Sequence, residues 1–521
     1  MSYIRWLVAV VAIGCCGACK EYNRNHAHGE VSRSSIEKGE ELAIRYCQSC
    51  HALPDPSLLD AKSWERGVLP HMGPLLGIRY FNGRRYPYAE GDRFLDKGYY
   101  PTSPLLSEED WQHIVDYFTA TSPDSLPGQQ RKEGIGQGLS LFQAVSPGGG
   151  GSPPATCMVR IDTVGRRISL LTGDVLTGSL KRWDEALRMV DSVGCGGPVL
   201  GVDRGKDGMV ACNVGLLNPS NARLGKGQVI RVDAGGKMRV DSQPLFTGLA
   251  RPVQVSEADL NGDGRMDYLV CEFGYMTGAL SWMENRGDSG YRRHVIKALP
   301  GAIKAYINDY NHDGRPDLWV LFAQGEEGIF LFTNKGGGAF SEEEVLRFPP
   351  VYGSSYFELA DMNKDGFPDI VYTCGDNADF SMVLKPYHGV YIFLNDGKNH
   401  FRQDFFFPIN GCYKAMARDF DGDGDLDLAT IAFFADFKRQ PEEGFVYLEN
   451  EGNEVFKPYS IPGAGVVGRW LTMDVGDLDG DGRMDIVLGN FSFLAPVTKA
   501  GVDFKKGPPF LVLRNLGRKT R

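Results

Sequence analysis

The sequence has no surplus of positive charge, no long hydrophobic run after its first residues, and few motifs of common enzymes. The formal net charge is −10 over 521 residues, which disfavours broad nucleic-acid binding because affinity for phosphates needs excess cations. The one long apolar run, Trp6 to Ala18, is too short to span a bilayer comfortably. No nucleophile elbow, H-E-x-x-H motif or phosphate loop is present. The sequence is therefore not that of a multi-span membrane protein, and its length predicts at least two domains.

The N-terminus has the pattern of an export signal. Residues 1–19 contain Arg5, an apolar segment over residues 7–13, and small residues around three cysteines. A cysteine after a small residue resembles the lipobox of bacterial lipoproteins, which implies a lipid anchor; a plain cleaved signal peptide is the alternative. Residues 20–33 are predicted to be a tether, since they lack apolar content. We therefore expect an exported bacterial protein, periplasmic or attached to the outer membrane or cell surface. The candidate lipidated residues are Cys15, Cys16 and Cys19.

The most specific motif is Cys47-Gln-Ser-Cys50-His51, the C-x-x-C-H pattern of c-type haem attachment. Thiols at this spacing can add to the two vinyl groups of one haem, while the adjacent histidine presents its imidazole to the iron. A zinc knuckle would need a second pair of ligands, and a thioredoxin-like dithiol would need a strand before the motif and a helix after it. Neither context is apparent, so the sequence predicts one covalent haem c.

Two predicted helices flank this motif. Ser34 or Ser35 is placed to cap a helix that runs into the motif, and Ser107 precedes a helix with apolar residues at helical spacing. Gly39 lies inside the first helix, where it costs stability unless another helix crosses closely. The pattern resembles a small monohaem cytochrome c over residues 34–122, which implies an all-α domain with an electron-transfer role.

Met72 is the candidate sixth ligand of the iron, because it is the only methionine from residue 2 to residue 157. A thioether opposite histidine stabilises reduced iron, which suits electron transfer rather than oxygen chemistry. The alternatives are that Met72 is core filler and His71 or His113 binds the iron, or that the site is open. In the resembled family the methionine lies nearer the second helix, so an inserted loop is predicted between Met72 and Ser107.

Beyond residue 150 a nine-residue string occurs five times, with side-chain oxygens at positions 1, 3, 5 and 9 and glycine at position 6. Such donors, with a backbone carbonyl at position 7, form the oxygen cage that calcium prefers. An EF-hand would place its last acid at position 12 between helices, whereas position 9 here leads into an apolar run typical of a strand. The predicted calcium ligands are Asp259, Asn261, Asp263, Asp267, Asp309, Asn311, Asp313, Asp317, Asp361, Asn363, Asp365, Asp369, Asp419, Asp421, Asp423, Asp427, Asp477, Asp479, Asp481 and Asp485.

The spacing of these strings predicts a β-propeller. Successive strings begin 50, 52, 58 and 58 residues apart, which fits one four-stranded blade per repeat. The pattern resembles the FG-GAP or VCBS repeat propellers, such as the head of integrin α-chains. Two degenerate copies, beginning at Asp162 and Asp203, bring the count to seven blades. The last blade ends after three strands, so we expect a strand at residues 139–144 to close the ring.

The predicted fold class is thus multidomain. A signal peptide (residues 1–19) and a tether (20–33) precede a small all-α cytochrome c-like domain (34–122). A linker (123–137) then leads to an all-β seven-bladed propeller (138–521) with calcium-binding loops and about five Ca²⁺ ions. The linker is rich in proline, glycine and glutamine, so the domains are expected to be able to move relative to each other.

Six cysteines fall within the propeller. An exported compartment permits disulfides, but their pairing cannot be deduced from the sequence, and buried thiols are the default expectation. These cysteines are Cys157, Cys195, Cys212, Cys271, Cys374 and Cys412.

If the calcium loops join the first and second strands of each blade, the opposite face gathers polar and aromatic residues. Such a face can bind a glycan, a small polar ligand or the haem domain; a solvated rim is the alternative. The residues are Arg251, Glu272, Phe273, Tyr275, Lys304, Tyr306, Asp376, Asn377, Asp379, Lys414, Asp436, Arg469, Trp470 and Asn490.

The leading functional hypothesis is an exported haem c electron-transfer protein whose propeller is a binding platform, with unidentified redox partner proteins. One alternative is a propeller oxidoreductase or lyase acting on a sugar or alcohol, with the haem as electron acceptor in the oxidative case. Another is a glycan-binding or adhesion module in which haem is peripheral. Quinoprotein dehydrogenases also combine propellers with cytochrome c, but their Trp-motif repeats are missing here.

Overall fold

The computed structural model describes residues 31–89, 91–148, 153–162, 168–205, 208–233, 235–378, 380–452, 455–463, 467–493 and 503–518. They form a small helical unit (residues 31–122) followed by a β-propeller. The predicted signal peptide and most of the predicted tether lie outside the described residues. None of the helices in the part of the chain that is described is long and apolar enough to cross a membrane.

Two helices of the helical unit were predicted, α1 (Arg33–Tyr46) and α4 (Glu108–Thr121). Ser107 caps α4 as expected, since its Oγ accepts the N–H of Asp110. The cap of α1 is Ser32, whose Oγ accepts the N–H of Ser35, and not Ser34 or Ser35. Ser35 instead turns towards α4, where its Oγ donates to Asp116 and lies 2.6 Å from His113 Nδ1.

The two helices cross at Gly39. A Cβ atom at this position would overlap the backbone carbonyl of His113, so only glycine permits the close approach of the two backbones. The crossing buries Trp111, Ile114 and Phe118 in the core of the helical unit. The prediction that another helix crosses at Gly39 is confirmed.

The chain between these helices is a series of short turns and one two-stranded ribbon. The ribbon lies within the predicted inserted loop, so the unit is not purely helical. Its core is anchored by Trp64, whose indole N–H donates to the carbonyl oxygen of Pro56 at 2.8 Å. The helical segments are Cys47–Ser49, Pro56–Leu58, α2 (Ala61–Ser63), Trp64–Val68, α3 (Leu69–Met72) and Gly73–Leu76, and the ribbon is β1 (Tyr80–Phe81) and β2 (Arg84–Arg85).

The propeller has seven blades, as predicted. Two strands precede the first blade: β3 (Gly136–Gln137) and β4 (Phe142–Val145). Blade 1 is β5 (Thr156–Asp162), β6 (Ser169–Asp174), β7 (Ser179–Trp183) and β8 (Met189–Gly194); blade 2 is β9 (Val199–Gly205), β10 (Gly208–Asn213), β11 (Gly225–Val232), β12 (Met238–Val240) and β13 (Phe246–Leu249). Blade 3 is β14 (Pro252–Ala258), β15 (Asp267–Glu272), β16 (Ala279–Asn285) and β17 (Tyr291–Lys297); blade 4 is β18 (Ala302–Asn308), β19 (Asp317–Phe322), β20 (Gly328–Gly336) and β21 (Ala339–Arg347). Blade 5 is β22 (Ser354–Ala360), β23 (Asp369–Cys374), β24 (Gly389–Asn395) and β25 (Phe401–Pro408); blade 6 is β26 (Cys412–Arg418), β27 (Asp427–Ala432), β28 (Phe445–Asn450) and β29 (Phe456–Ser460); blade 7 starts with β30 (Trp470–Gly476), β31 (Asp485–Asn490) and β32 (Phe510–Asn515). Short helical turns lie at Gly287–Ser289, Pro441–Gly444 and Phe504–Lys506.

The second strands of blades 3 to 7 form the apolar interior of the propeller. Each is six residues long, begins at the aspartate in position 9 of its string, and is buried throughout. Strands covered on both faces have near-continuous apolar sequences rather than alternating ones. The position of each string just before such a strand explains why the motif and the blade share one period.

The ring is closed by a strand that precedes blade 1 in the sequence. Strand β4 pairs antiparallel with β32, with Val145 opposite Val512 and Phe142 opposite Asn515. Closure was predicted at residues 139–144, so the pairing strand starts three residues later than expected. Strand β3 adds a short parallel edge to β29 of blade 6. The chain on the N-terminal side of blade 1 thus holds the last two blades together.

The helical unit packs on the face of the propeller opposite the calcium-type loops. Blade 2 contributes Asn221, which donates to Asp92 at 2.8 Å. The Tyr99 hydroxyl donates to the backbone oxygen of Met276 in the connection between the second and third strands of blade 3. The Tyr387 hydroxyl of blade 5 donates to the Leu58 carbonyl. The helical unit therefore occupies part of this face.

Residues 123–137 lie along the propeller. Gln129 donates to the backbone oxygen of His388 at 2.7 Å. Arg131 donates to the backbone oxygen of Pro408 and forms an ion pair with Glu443, a carboxylate with no solvent exposure. The segment thus has specific contacts with blades 5 and 6 that composition alone does not reveal.

Candidate functional site

The haem-attachment motif lies where α1 ends. Cys47 is the first residue after the helix and packs against the core of the helical unit. Burial, together with the neighbouring Cys50, raises the pKa of its thiol to about 12. Cys50 itself is exposed. One thiol is therefore anchored against the helical core while the other faces solvent.

His51 is held in an orientation that suits metal ligation. Its ring is partly buried, and Nδ1 lies 2.8 Å from the carbonyl oxygen of Ala52. When Nδ1–H donates this hydrogen bond, the lone pair of Nε2 is available to a metal, an arrangement common among ligating histidines. The residues of the motif therefore fit a covalently attached haem with Nε2 as axial ligand.

The candidates for the sixth ligand lie in different surroundings. Met72 is the last residue of α3 and packs, partly buried, against the helical core. The ring of His71 stacks on Phe380 of blade 5 with centroids 3.9 Å apart, and burial lowers the pKa of its imidazole. His113 lies against Ser35 in the crossing of the two helices. Both histidines have other neighbours, and Met72 stays the predicted ligand.

The calcium-type loops join the first and second strands of blades 3 to 7, as predicted. In blade 3 the two carboxylate oxygens of Asp259 accept the N–H groups of Gly262 and Gly264, at 2.8 and 2.9 Å. The glycines at position 6 of the five loops have φ between 82° and 94°, a region that favours glycine. The first aspartate thus folds the loop around itself and brings the other oxygens towards it.

The aspartate at position 9 links each loop to its blade. In blade 3, Asp267 accepts the N–H of Leu260 through Oδ2 and that of Asn285 through Oδ1. Burial, with a smaller contribution from Asp421, raises the pKa of the equivalent Asp427 to about 7. A cation bound in the loop would favour the ionised carboxylate. The position-9 aspartates of blades 3 to 7 thus share a hydrogen bond to the third strand of their blade.

The donor set of the loops fits a hard divalent cation. In blades 6 and 7 the carboxylate oxygens at positions 1, 3 and 5 lie within 4.8 Å of one another. All predicted donors are oxygens, which is the preference of calcium. Arginines contact some of these carboxylates: Arg265 and Arg315 each lie 2.5 Å from the aspartate two residues earlier. In blade 5 the corresponding residue is Phe367, which brings no positive charge.

An asparagine near the end of the third strand in each of blades 3 to 7 was missed by the sequence reasoning. In blade 5 the N–H of Asn395 donates to Asp369, and its Nδ2 donates to the backbone oxygen of Pro368. Its Oδ1 accepts the N–H of Gly397. The signal was present, because Asn-x-Gly recurs once after each string. The equivalent residues are Asn285, Asn334, Asn395, Asn450 and Asn515.

The residues predicted for the opposite face do not form one site. Glu272 is fully buried, accepts a hydrogen bond from Ser281 and pairs with Arg293 at 2.7 Å. Trp470 and Asn490 are also fully buried, so the prediction that these three face a ligand is wrong. They lie at the ends of strands, where packing between blades encloses them. Asp379 lies outside the described residues.

Two groups among the remaining residues of that prediction lie in different parts of the propeller. Arg469 stacks over Phe433 at 4.2 Å, and burial lowers the pKa of its guanidinium to about 10. Lys304, Tyr306 and Lys414 lie on the first strands of blades 4 and 6, which surround the propeller axis. The structure thus separates an aromatic cluster on the rim from a polar cluster at the axis.

The first strands are joined to one another by polar side chains, a second feature that the sequence reasoning missed. The inner edge of a first strand has no β-partner, so its backbone groups need other partners. Among the described residues, such links are found at six of the seven junctions between blades. They run from Gln254 to Ala305, Tyr306 to Phe357, Glu358 to Ala417, Lys414 to Met473, Asp474 to Ile161 and Arg160 to Val202.

The six cysteines of the propeller are buried free thiols, as expected by default. Cys212, Cys271 and Cys374 lie on second strands. Burial raises the pKa of each thiol, so these groups are protonated and inert at neutral pH.

Comparison with known proteins identifies the repeat. A family model described as FG-GAP-like repeat matches residues 259–320 and 309–372. These ranges contain the loops of blades 3, 4 and 5. The chain therefore carries FG-GAP-like repeats in a seven-bladed β-propeller.

Among solved structures, the chain is similar to two described as the crystal structure of BBS1N in complex with ARL6DN, one soaked with mercury and one with lead. The sequence identity is 11% in both cases, over 73% of this chain and 98% of the other. The TM-scores are 0.44 and 0.43.

Proposed function

We propose that this chain is an exported haem c electron-transfer protein whose propeller is a calcium-stabilised binding platform. In this proposal Cys47 and Cys50 attach one haem, His51 and Met72 are its axial ligands, and the helical unit is a cytochrome c domain. A haem iron between histidine and methionine exchanges single electrons. Redox partner proteins, and a glycan or small polar ligand on the propeller, are the proposed binding partners.

The observation that carries the proposal is the local geometry of the motif. The two thiols and His51 follow directly from a helix that another helix crosses at a glycine. His51 Nδ1 is engaged by the Ala52 carbonyl, which orients the ring and leaves Nε2 for the iron. The buried setting of Cys47 places one attachment point against the helical core, while Cys50 faces solvent.

The residues of the helical unit have distinct roles in this proposal. Cys47 and Cys50 would fix the position of the porphyrin covalently, and the Ala52 carbonyl would hold the His51 tautomer. Met72, packed against the core, would exclude water from the second axial position. Fixed axial ligands suit electron transfer because the iron then has no open position for oxygen.

Calcium is proposed to order the loops of blades 3 to 7. Clustered carboxylates repel one another, so a bound divalent cation favours the folded loop. One ion per blade is the pattern of a structural role. Losing a ligand is therefore expected to change stability more than redox properties.

Export and lipid anchoring complete the proposal. The apolar segment and the cysteines of residues 1–19 support a secretory signal with a lipidated cysteine. Haem c attachment occurs outside the cytoplasm, so export and the C-x-x-C-H motif support each other.

The test is expression of the full chain in a host with haem-maturation machinery, with absorption spectra and haem staining under denaturing conditions. We expect a c-type spectrum with covalently bound haem. Cys50→Ala should weaken or abolish covalent attachment, whereas Gln48→Ala, between the two cysteines, should retain it. A colourless wild-type protein from a host that matures a control cytochrome c would overturn the proposal.

A further inference from the structure

The propeller axis carries a lysine without a polar partner. Lys304 lies on β18, the first strand of blade 4. Its ammonium is 4.6 Å from the ring centroid of Tyr306 and 5.8 Å from that of Tyr356. Among the described residues it has neither a hydrogen bond nor an ion pair. An ammonium offers three donors, and its contact with ring faces satisfies none of them as a hydrogen bond.

The charges that act on Lys304 place it near the axis. The carboxylates that influence its pKa include Glu358, Asp474 and Asp203, which lie on the first strands of blades 5, 7 and 2. The first strands of the blades surround the axis, so Lys304 lies in the inner ring of strands with these carboxylates. Lys414 approaches from blade 6, with its ammonium 4.6 Å from the Tyr356 ring. The two ammonium groups therefore share one tyrosine.

The carboxylates around the axis are already engaged. Glu358 accepts the N–H of Ala417 and pairs with Arg418 at 2.8 Å. Asp474 accepts the N–H of Ile161 at 2.7 Å. These bonds hold neighbouring blades together, so neither carboxylate is directed at Lys304.

Charged side chains of several first strands meet at the axis, four of them cations and three of them carboxylates. The cations are Arg160, Lys304, Lys414 and Arg418, and the carboxylates are Asp203, Glu358 and Asp474. Burial lowers the pKa of Lys304 and, to about 8, that of Lys414. An anion would offset this cost of holding two ammonium groups close together.

The site is partly accessible to solvent. Lys304, Tyr306, Tyr356 and Lys414 all retain partial solvent exposure. Lys414 uses one of its three donors on the backbone oxygen of Met473. Donors from two lysines can thus reach the same small ligand.

We propose that the axial channel of the propeller binds a small oxyanion, a carboxylate or a phosphate-like ion, on Lys304 with Lys414 as the second donor. The tyrosines would form its sides and exclude larger ligands. This site is separate from the calcium-type loops and from the haem motif, so it does not depend on the function proposed above.

The first test measures binding to the full-length protein by isothermal titration. Sodium phosphate and sodium acetate are titrated separately, each against a sodium chloride background of equal ionic strength. Binding of acetate alone favours a carboxylate ligand, and binding of phosphate favours a phosphate-like one. Lys304→Met, which keeps the apolar stem but removes the charge, should weaken binding about tenfold or more. The matched control Lys335→Met removes an exposed lysine of the same blade and should leave binding unchanged.

Folding of the variant is checked by its melting temperature, and Lys304→Gln is the second variant if Lys304→Met does not fold. The proposal is overturned if neither anion binds, or if both bind equally well to the wild type and to a folded Lys304 variant. A second measurement needs no variant: crystals soaked in selenate should show an anomalous peak within hydrogen-bond distance of Lys304 Nζ. Absence of a peak at the axis under conditions where phosphate binds in solution would also contradict the assignment.

Discussion

His51 and Met72 are the proposed axial ligands of the haem in the helical unit. His51 has its Nδ1 occupied by the Ala52 carbonyl, and Met72 lies against the helical core beside a histidine that packs on another domain. In the proposed haem site, His71, which stacks on Phe380, is the main competitor of Met72. The two possibilities differ in the spectrum and the reduction potential that they give.

The variant Met72→Ala is expected to lose the near-infrared charge-transfer band of the holoprotein and to lower its reduction potential, because thioether ligation stabilises reduced iron. Absorption spectra and a redox titration measure both effects. His71→Ala should retain the band. Unchanged Soret and near-infrared bands in Met72→Ala would rule out methionine ligation.

Gly39 controls how closely α1 and α4 approach. Replacement by alanine places a Cβ in overlap with the His113 carbonyl, and forced overpacking of this kind usually costs about 1–3 kcal/mol. We expect Gly39→Ala to lower the free energy of unfolding of the helical unit by this amount in urea titrations. Gly98→Ala, where a Cβ meets no atom within 4 Å, is the control. Equal stability of the two variants would contradict the close crossing.

Local sequence patterns predict some features of single residues and not their contacts with residues far away in the chain. The C-x-x-C-H motif and the glycine at the helix crossing are visible in the sequence because both are local patterns. The contact of His71 with Phe380 is not, since the two residues are far apart in the chain. Glu272, Trp470 and Asn490 were placed on a ligand face because they end strands, but only packing between blades decides their burial.

At the scale of elements, each loop and its blade form one hydrogen-bonded unit. The position-9 aspartate joins the loop to the third strand through the asparagine of the Asn-x-Gly pattern. The loop, the second strand and the repeat period were predictable from the sequence, and the asparagine was not. The asparagine was missed because its partner is distant in sequence and differs in spacing from blade to blade.

Calcium is expected to raise the melting temperature of the protein, since a ligand at about 100 times its Kd adds about 2.7 kcal/mol to the free energy of unfolding. Thermal scans in excess chelator and with added calcium measure the increment. The blade 5 loop has Phe367 at position 7, so no arginine at that position competes with calcium for its carboxylates. Asp361→Asn should therefore reduce the calcium-dependent increment in melting temperature. Asp288→Asn, an exposed residue on blade 3, should leave it unchanged. A melting temperature insensitive to chelator and to calcium would contradict a structural metal.

Ring closure depends on the short strand β4, whose Phe142 packs against Phe420 and Tyr447 with centroids 5.7 Å away in both cases. Removal of a buried phenylalanine side chain usually costs about 3–5 kcal/mol. We therefore expect Phe142→Ala to lower the unfolding free energy of the propeller substantially. Gln143→Ala, on the exposed face of the same strand, is the control. If both variants unfold at the wild-type denaturant concentration, β4 is not needed for closure.

The whole molecule combines a closed ring with a unit fixed on one face. Blades 2, 3 and 5 contribute contacts to the helical unit, and Val351 and Tyr387 of the propeller extend its apolar core. The sequence predicted two domains and the ring closure, but it predicted a flexible linker where the structure has specific contacts. The composition of a segment indicates whether it forms helices or strands. It does not indicate which hydrogen bonds its side chains make with distant residues, such as those of Arg131.

The two domains approach each other closely at Gly67, where a Cβ would overlap the backbone oxygen of Phe380. We expect Gly67→Ala to shift the helical unit away from blade 5 and to break the stacking of His71 on Phe380. Hydrogen exchange followed by mass spectrometry should then be faster in residues 66–73 and 380–388, and unchanged in the second strands of blades 3 and 7.

The matched control for this variant is Met382→Ala, on the same loop as Phe380; the Met382 side chain is 79% exposed. Exchange in the control should match the wild type. If Gly67→Ala also leaves exchange unchanged in both segments, the two domains are not held by this contact. Faster exchange throughout the helical unit, without change on blade 5, would instead indicate local destabilisation of the turn that carries Gly67, because separation of the domains exposes both sides of an interface equally.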